Sequence, residues 1–294
     1  MKTNKSVSTF LAALVAAAAL LVTTVSVQAA PKTKSLRVLL ITGGCCHDYA
    51  AQKDILKKGL EARAHVVVDQ IHTDDKSTTP PLAIYGNPDY AKGYDVVIHD
   101  ECAAGMADAK IVAGVLAPHR NGTPGVNLHC AMHSFRVGNH REPTEAGSEA
   151  SMWFDYLGLQ SSSHGPRSPV DIAFSKTKHP ITKTLGDWKT VNEELYNNVQ
   201  IFPGTTSLAI GTQMQMPRQK KNRKKKAADA KPAEKPKAKL AVATVAWVNE
   251  YHGSRVFSTT IGHVNETVAD DRYLDLVTRG LLWSCKKLNK DYLK

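Results

Sequence analysis

Short apolar, β-branched runs alternate with helix-length amphipathic segments through the first half of this chain, and that alternation leaves it few architectures. Residues 36–42 form such a run, ended by Gly43-Gly44. Residues 51–63 carry Ile55, Leu56 and Leu60 at helical spacing. Strands are expected at 65–69, 94–99 and 125–130, with a second helix at 106–117. Runs this apolar read as strands buried on both faces. Strands alternating with helices predict an α/β fold, a mostly parallel sheet flanked by helices in the flavodoxin-like manner. Ligands of such open sheets collect beyond the carboxyl ends of the strands. That rule selects residues 43–49, 100–102 and 129–140.

The second half is less regular. A short helix is expected at 151–157 and strands at 170–175 and 208–212. Strands at 240–247 and 255–261, joined through 249–254, predict an antiparallel hairpin near the C-terminus. A helix over 273–285 closes the chain, with Leu274, Val277, Leu281 and Leu282 on one side. No internal repeat is found.

The N-terminus has a different character. Lys2 and Lys5 precede an apolar run over 10–27, which ends in Val27-Gln28-Ala29. This is the pattern of a secretory signal peptide over 1–29, cleaved after Ala29. A retained anchor is the alternative, but an alanine-rich run containing Thr23-Thr24 is weakly hydrophobic for a span of ~20 residues. The mature chain is therefore expected to be exported to a periplasm or the medium, with no integral membrane segment. About 265 residues remain, enough for one α/β domain over 36–285.

The formal charge of +11 suggests a nucleic-acid partner until it is located. Nine lysines and two arginines against Asp229 and Glu234 put +9 of it in residues 218–239, and Lys2 and Lys5 supply the rest. The folded part is near neutrality, so no specific nucleic-acid face is expected. Residues 214–239, rich in lysine, alanine and proline, read as a disordered insert. Five cysteines (45, 46, 102, 130 and 285) leave at least one thiol unpaired within the chain. Adjacent Cys45 and Cys46 bond each other only with strain, so no disulfide framework is expected.

Candidate chemistry sits at the strand ends. His47 follows the diglycine turn after the first strand. In residues 125–135 a strand runs straight into a helical turn, the context of a nucleophile elbow. With His129 at the apex the neighbours two residues away are Asn127 and Ala131; with Cys130 they are the bulky Leu128 and Met132. Sterics therefore favour His129. His129 and His133, four apart on a helix, would share a face that suits one metal or one ligand. His164 lies in a Ser/Gly/Pro loop, and of the adjacent Glu193 and Glu194 only one can face a cleft in extended backbone. His263 follows a strand after Gly262.

The order of these pieces resembles the trehalose-utilisation (ThuA-like) family, whose fold is like that of class I glutamine amidotransferases. The resemblance runs through Thr42-Gly43-Gly44 with His47, residues 125–135 with His129 and His133, residues 153–158, His164, His179-Pro180-Ile181 and Glu193-Glu194-Leu195-Tyr196. It ends in residues 246–257 and Gly262-His263, its most diagnostic part. It implies a role in sugar metabolism, through oxidised (keto) sugars, and a divalent metal such as zinc in the cleft. Histidine here takes the place of the amidotransferase cysteine, which sets glutaminase chemistry aside. Asn127 stands where the family favours glycine.

Three readings follow. The first is an exported enzyme, a sugar hydrolase, lyase or isomerase, with a sugar-type small molecule as partner. In it His129, His263 and Glu194 are catalytic, His47, His133, His164, Trp247 and Tyr251 bind substrate, and His47, His129 and His263 are metal candidates. The second is a carbohydrate-binding or structural module using Trp153, Trp247 and Tyr251 as stacking platforms. The third is a hydrolase dependent on Cys130, whose thiol lies beside histidines. Oligomeric state is left open.

Overall fold

The computed structural model describes residues 33–175, 179–216 and 237–294. The expected signal peptide and residues 217–236 of the lysine-rich insert lie outside the described residues. The margins of that insert do not: Met214 and Gln215 are in a strand, as is Lys239.

In chain order the elements are β1 (Leu36–Gly44), α1 (Tyr49–Arg63), β2 (Val66–Thr73), β3 (Val96–Cys102), α2 (Ala109–Arg120) and β4 (Gly125–Leu128). A 3₁₀ turn over His129–His133 leads on to α3 (Met152–Leu157), β5 (Leu159–Gln160), β6 (Ser168–Phe174), β7 (Trp188–Glu193) and β8 (Gln200–Ile201). Then come β9 (Thr206–Gln215), β10 (Lys239–Tyr251), β11 (Ser254–Thr259), α4 (Asn265–Val268) and α5 (Asp271–Ser284). Nine strands form one sheet in the order β2-β1-β3-β4-β11-β10-β9-β6-β7. From β2 to β11 neighbouring strands run parallel. From β11 to β7 they run antiparallel, so the expected hairpin of β10 and β11 continues outward through β9, β6 and β7.

Two apolar layers cover the sheet. One joins Leu40, Val126 and Phe257 to α1 and α5 through Leu56, Leu60, Leu274 and Leu281. The other joins Leu39, Val97 and Trp247 to α2 and α3 through Val112, Leu116 and Trp153. Each fully buried aliphatic or aromatic side chain contributes ~1.5–3 kcal/mol. In β1 every residue but Arg37 is buried, as its unbroken apolar run requires.

Two departures from the sequence reading bear on function. β3 does not stop at His99 but continues through Asp100 and Glu101 to Cys102, all buried. A polar triad reads as a loop, yet here it is buried: Glu101 Oε1 meets His99 and Cys102 meets Cys45, while one oxygen each of Asp100 and Glu101 has no hydrogen-bonding partner. β7 has no counterpart among the expected strands; its alternating burial ends at Glu193.

Candidate active site

Parallel strands β1, β4 and β11 end at the same edge of the sheet, and the residue types that follow each strand decide what meets there. After β1, Gly44 adopts φ +96°, and a Cβ on it would lie 2.2 Å from the Cys102 carbonyl oxygen, so only glycine lets the chain turn this close to β3. Asp48 then caps α1, accepting from the Ala51 amide at 3.3 Å, and His47 is held just ahead of that cap. After β11, Gly262 takes φ +126° against the Tyr273 ring and turns His263 inward. At the end of β4 the strained residue is His129, with φ +40°.

These three turns bring three imidazoles together. Ring centroids of His47 and His129 are 4.7 Å apart, those of His47 and His263 4.6 Å, and those of His129 and His263 5.4 Å. One nitrogen from each ring lies within 4.8 Å of the others, so the trio can hold a metal ion. The protonation pattern agrees. Nδ1 of His129 is 2.6 Å from the Thr260 carbonyl and Nδ1 of His47 is 3.3 Å from the His263 carbonyl. A carbonyl only accepts, so both rings carry their hydrogen on Nδ1 and present the Nε2 lone pair.

Glu194 completes the group. Its Oε2 is 3.3 Å from Nδ1 of His263 and 3.7 Å from Nε2 of His129, and its Oε1 is 3.3 Å from Nδ1 of His164. The contact with His263 is out of line for a hydrogen bond, and that buried Nδ1 has no hydrogen-bonding partner. A lone pair on His129 Nε2 faces a carboxylate oxygen, an arrangement that a proton or a cation between them satisfies. Tyr196 Oη lies 3.2 Å from the same Nε2.

Burial sets the charge states. It pushes His47 down to about 2, helped by His129 and His263, and His129 down to about 4. Both rings are therefore neutral at pH 7, the form that binds metal or accepts a proton. Burial works to raise the Glu194 carboxyl, but the neighbouring imidazoles of His263, His129 and His164 hold it below the ordinary carboxylate range. The adjacent Glu193 points the other way, as alternation demands, and accepts the backbone amides of His263 at 3.0 and 3.1 Å and of Val264 at 3.3 Å. Sequence reasoning gives Glu193 no task, although it is the carboxylate that fixes the turn carrying His263.

Not every residue expected at the site is there. His133 does not share a face with His129, because the segment is a 3₁₀ turn with three residues per turn rather than an α-helix. It stacks on Tyr196 at 4.2 Å and bonds Ser161 at 2.9 Å, behind the cluster. Trp247 is fully buried in the core, its indole donating to the Leu157 carbonyl at 2.7 Å. Tyr251, opposite Ser254 at the start of β11, lies at the other edge of the sheet and meets Arg120 at 3.1 Å. Trp153 is buried too, donating to the Ala131 carbonyl. None of these three aromatics offers a face to a ligand at the histidine cluster. Cys130 Sγ lies 2.9 Å from His47 Nε2, but its hydrogen bond with Cys102 and its burial push the thiol well above the ordinary value, so the thiolate is disfavoured.

The cluster has clefts on two sides. His47 and His263 line a polar cleft of about 570 Å³ with Cys46, Asp48, Lys76 and Asn265. His164 and Tyr196 line a second of about 510 Å³ with Ser163, Asn197, Asn198 and Gln215. Both have the size of small-molecule sites.

A family model described as ThuA, trehalose utilisation, matches residues 37–284. Among solved structures, a ThuA-like protein from Parabacteroides merdae is 17% identical, with 86% of this chain and 90% of that one covered and a TM-score of 0.55. A ThuA-like protein from Bacteroides uniformis is also 17% identical, with 87% and 95% covered and a TM-score of 0.55. A GMP synthase protein from Thermoplasma acidophilum is 9% identical, with 86% and 96% covered and a TM-score of 0.45. No curated protein matches the chain.

Proposed function

The chain belongs to the ThuA family of trehalose utilisation, and from that premise we propose that it is an exported enzyme acting on a sugar, glycoside or keto-sugar at the His47, His129 and His263 cluster. The observation that carries this reading is the convergence of three imidazoles, two of them unprotonated at Nε2, beside the buried Glu194 carboxylate. That donor set fits a divalent ion such as zinc: His47 and His129 are neutral with Nδ1 anchored to carbonyls, His263 lies beside them, and an anion stands alongside to balance charge. When bound, such an ion supplies Lewis-acid polarisation of a sugar carbonyl.

The chain's own groups have definite tasks. Glu193 and the Thr260 carbonyl hold His263 and His129 in position before substrate arrives. Glu194, ionised and bridging His129, His263 and His164, accepts a proton from a sugar hydroxyl or from a carbon next to a keto group. His164, more exposed than Glu194, donates from Nδ1 toward the Gly165 carbonyl at 2.8 Å and the Glu194 carboxylate at 3.3 Å, and so holds Glu194 at the edge of the second cleft. Asn197, Asn198 and Gln215 line that cleft with the amides that recognise hydroxyl groups. Export fits the N-terminal pattern and the finding that no helix among the described residues is long and apolar enough to cross a membrane.

The test is a turnover screen of trehalose, other disaccharides and their keto derivatives, run with the purified protein before and after chelator treatment. Turnover of at least one keto-sugar or glycoside, abolished by chelation and restored by zinc, is expected. Turnover of none of them, with or without zinc, refutes the enzyme reading.

A further inference from the structure

Four of the five cysteines gather beside the histidine cluster, and the sugar reading uses none of them. Contrary to the sequence expectation, Cys45 and Cys46 are joined as a disulfide, while Cys102, Cys130 and Cys285 are free thiols. What admits the bond is the backbone: Cys46 has φ +83°, and the glycines before it turn the chain at the end of β1. Pairing of Gly44 with Cys102 in the β1–β3 register then sets Cys102 beside the bond. Its Sγ is 3.4 Å from Cys45 Sγ. Cys102 is 3% exposed and packs with Tyr49 and Cys130, whereas Cys46 is exposed and lines the polar cleft with His47 and His263. A buried thiol therefore abuts the inner sulfur of a disulfide whose outer sulfur faces solvent.

We propose that Cys45, Cys46 and Cys102 form a thiol–disulfide exchange site, in which the disulfide moves from Cys45–Cys46 to Cys45–Cys102 and delivers a free thiol at Cys46 to the mouth of the histidine cleft. The step balances without an outside oxidant. Cys102 loses its thiol proton, its sulfur attacks Cys45 Sγ, the Cys45–Cys46 bond breaks, and Cys46 leaves as a thiolate that takes up a proton. One disulfide replaces another and one proton is exchanged. The Cys130 thiol and the Arg136 guanidinium beside it hold the Cys102 thiol below its ordinary value against the opposing effect of burial. The partners such a site takes are small soft electrophiles and small-molecule disulfides that reach an exposed thiol. The inference goes beyond the sugar reading and does not depend on it, because it concerns sulfur connectivity alone.

The experiment is a non-reducing peptide map of the full chain, purified without reductant and exposed in its native state to N-ethylmaleimide at pH 8 for increasing times. Label at Cys46 is expected to rise together with a Cys45–Cys102 linked peptide. In Cys102→Ser, folded by circular dichroism, the linked peptide should be absent and labelling of Cys46 about tenfold slower; Cys285→Ser should behave as wild type. If wild type shows only the Cys45–Cys46 peptide at every time, with label confined to Cys102 or absent from all three, the exchange is refuted. It is equally refuted if the three thiols are all free at the start. Because the wild-type map stands alone, a Cys102→Ser protein that fails to fold leaves the test decisive.

Discussion

Two histidine groups in this molecule are built from the same residue types and come to opposite ends. Inside the fold, Nδ1 of His119 is 2.9 Å from the Thr123 carbonyl, Nε2 of His119 is 3.1 Å from Nε2 of His99, and Nδ1 of His99 is 2.8 Å from Glu101 Oε1. The carbonyl forces the hydrogen onto His119 Nδ1, so His119 Nε2 accepts from His99 Nε2, and His99 Nδ1 in turn meets Glu101 Oε1. Every ring nitrogen has a partner, and only the second Glu101 oxygen is left without one. At the sheet edge the carbonyls of Thr260 and His263 likewise take the Nδ1 hydrogens, but there Nε2 of His47 faces the Cys130 thiol at 2.9 Å and Nε2 of His129 faces Tyr196 Oη and the Glu194 carboxylate. Counting protons distinguishes a structural group from a reactive one where counting histidines does not.

The largest expected effect separates the two groups by activity. His129→Ala should lower turnover about a thousandfold while the protein stays folded. His119→Ala should leave turnover per folded molecule unchanged but cost ~2–4 kcal/mol in urea unfolding, from the cavity and the orphaned Thr123 carbonyl and His99 nitrogen. Equal loss of turnover in both variants would erase the distinction.

A smaller effect is read against pH. Burial, with the His99 ring beside it, pushes His119 down to about 3. The unfolded chain takes up that proton first, below about pH 6.5. Unfolding free energy should therefore fall as pH drops from about 6.5 toward 3, by ~1.4 kcal/mol per pH unit for this histidine. Metal-free protein should show the same sign from His47 and His129. Equilibrium unfolding at pH 7 and 5 measures it, and His119→Ala should flatten the slope by one histidine's share. Smallest of all, Trp247→Phe should cost ~1 kcal/mol through the lost bond to Leu157 and leave KM unchanged, since its indole lies in the core.

Much of this site is legible in the sequence alone. The rule of carboxyl strand ends selects the stretches that carry His47 and His129, His263 enters only as a residue after a strand and through the family resemblance, and side-chain bulk places the strained residue at His129 rather than Cys130. The part that is not legible depends on partners far apart in sequence. His99 reads as the end of a strand, Glu101 as a residue just beyond it and His119 as a residue past a helix, because nothing local shows that 99 and 119 meet. Glu193 looks like half of an exposed acidic pair, since β7 has too weak an apolar pattern to announce itself. Trp247 and Tyr251 sit in a diagnostic run, yet the run is diagnostic of packing and of the hairpin rather than of the cleft. His133 is misplaced by an assumption about helix type, because residues four apart share a face in an α-helix but not in a 3₁₀ turn.

Zinc stoichiometry measured by elemental analysis after loading and desalting tests the outer histidine group most directly. One ion per chain is expected in the wild type and in His119→Ala, falling below a tenth of that in His129→Ala and His263→Ala. Equal zinc in all four proteins, or none retained by the wild type, would contradict a metal held by His47, His129 and His263.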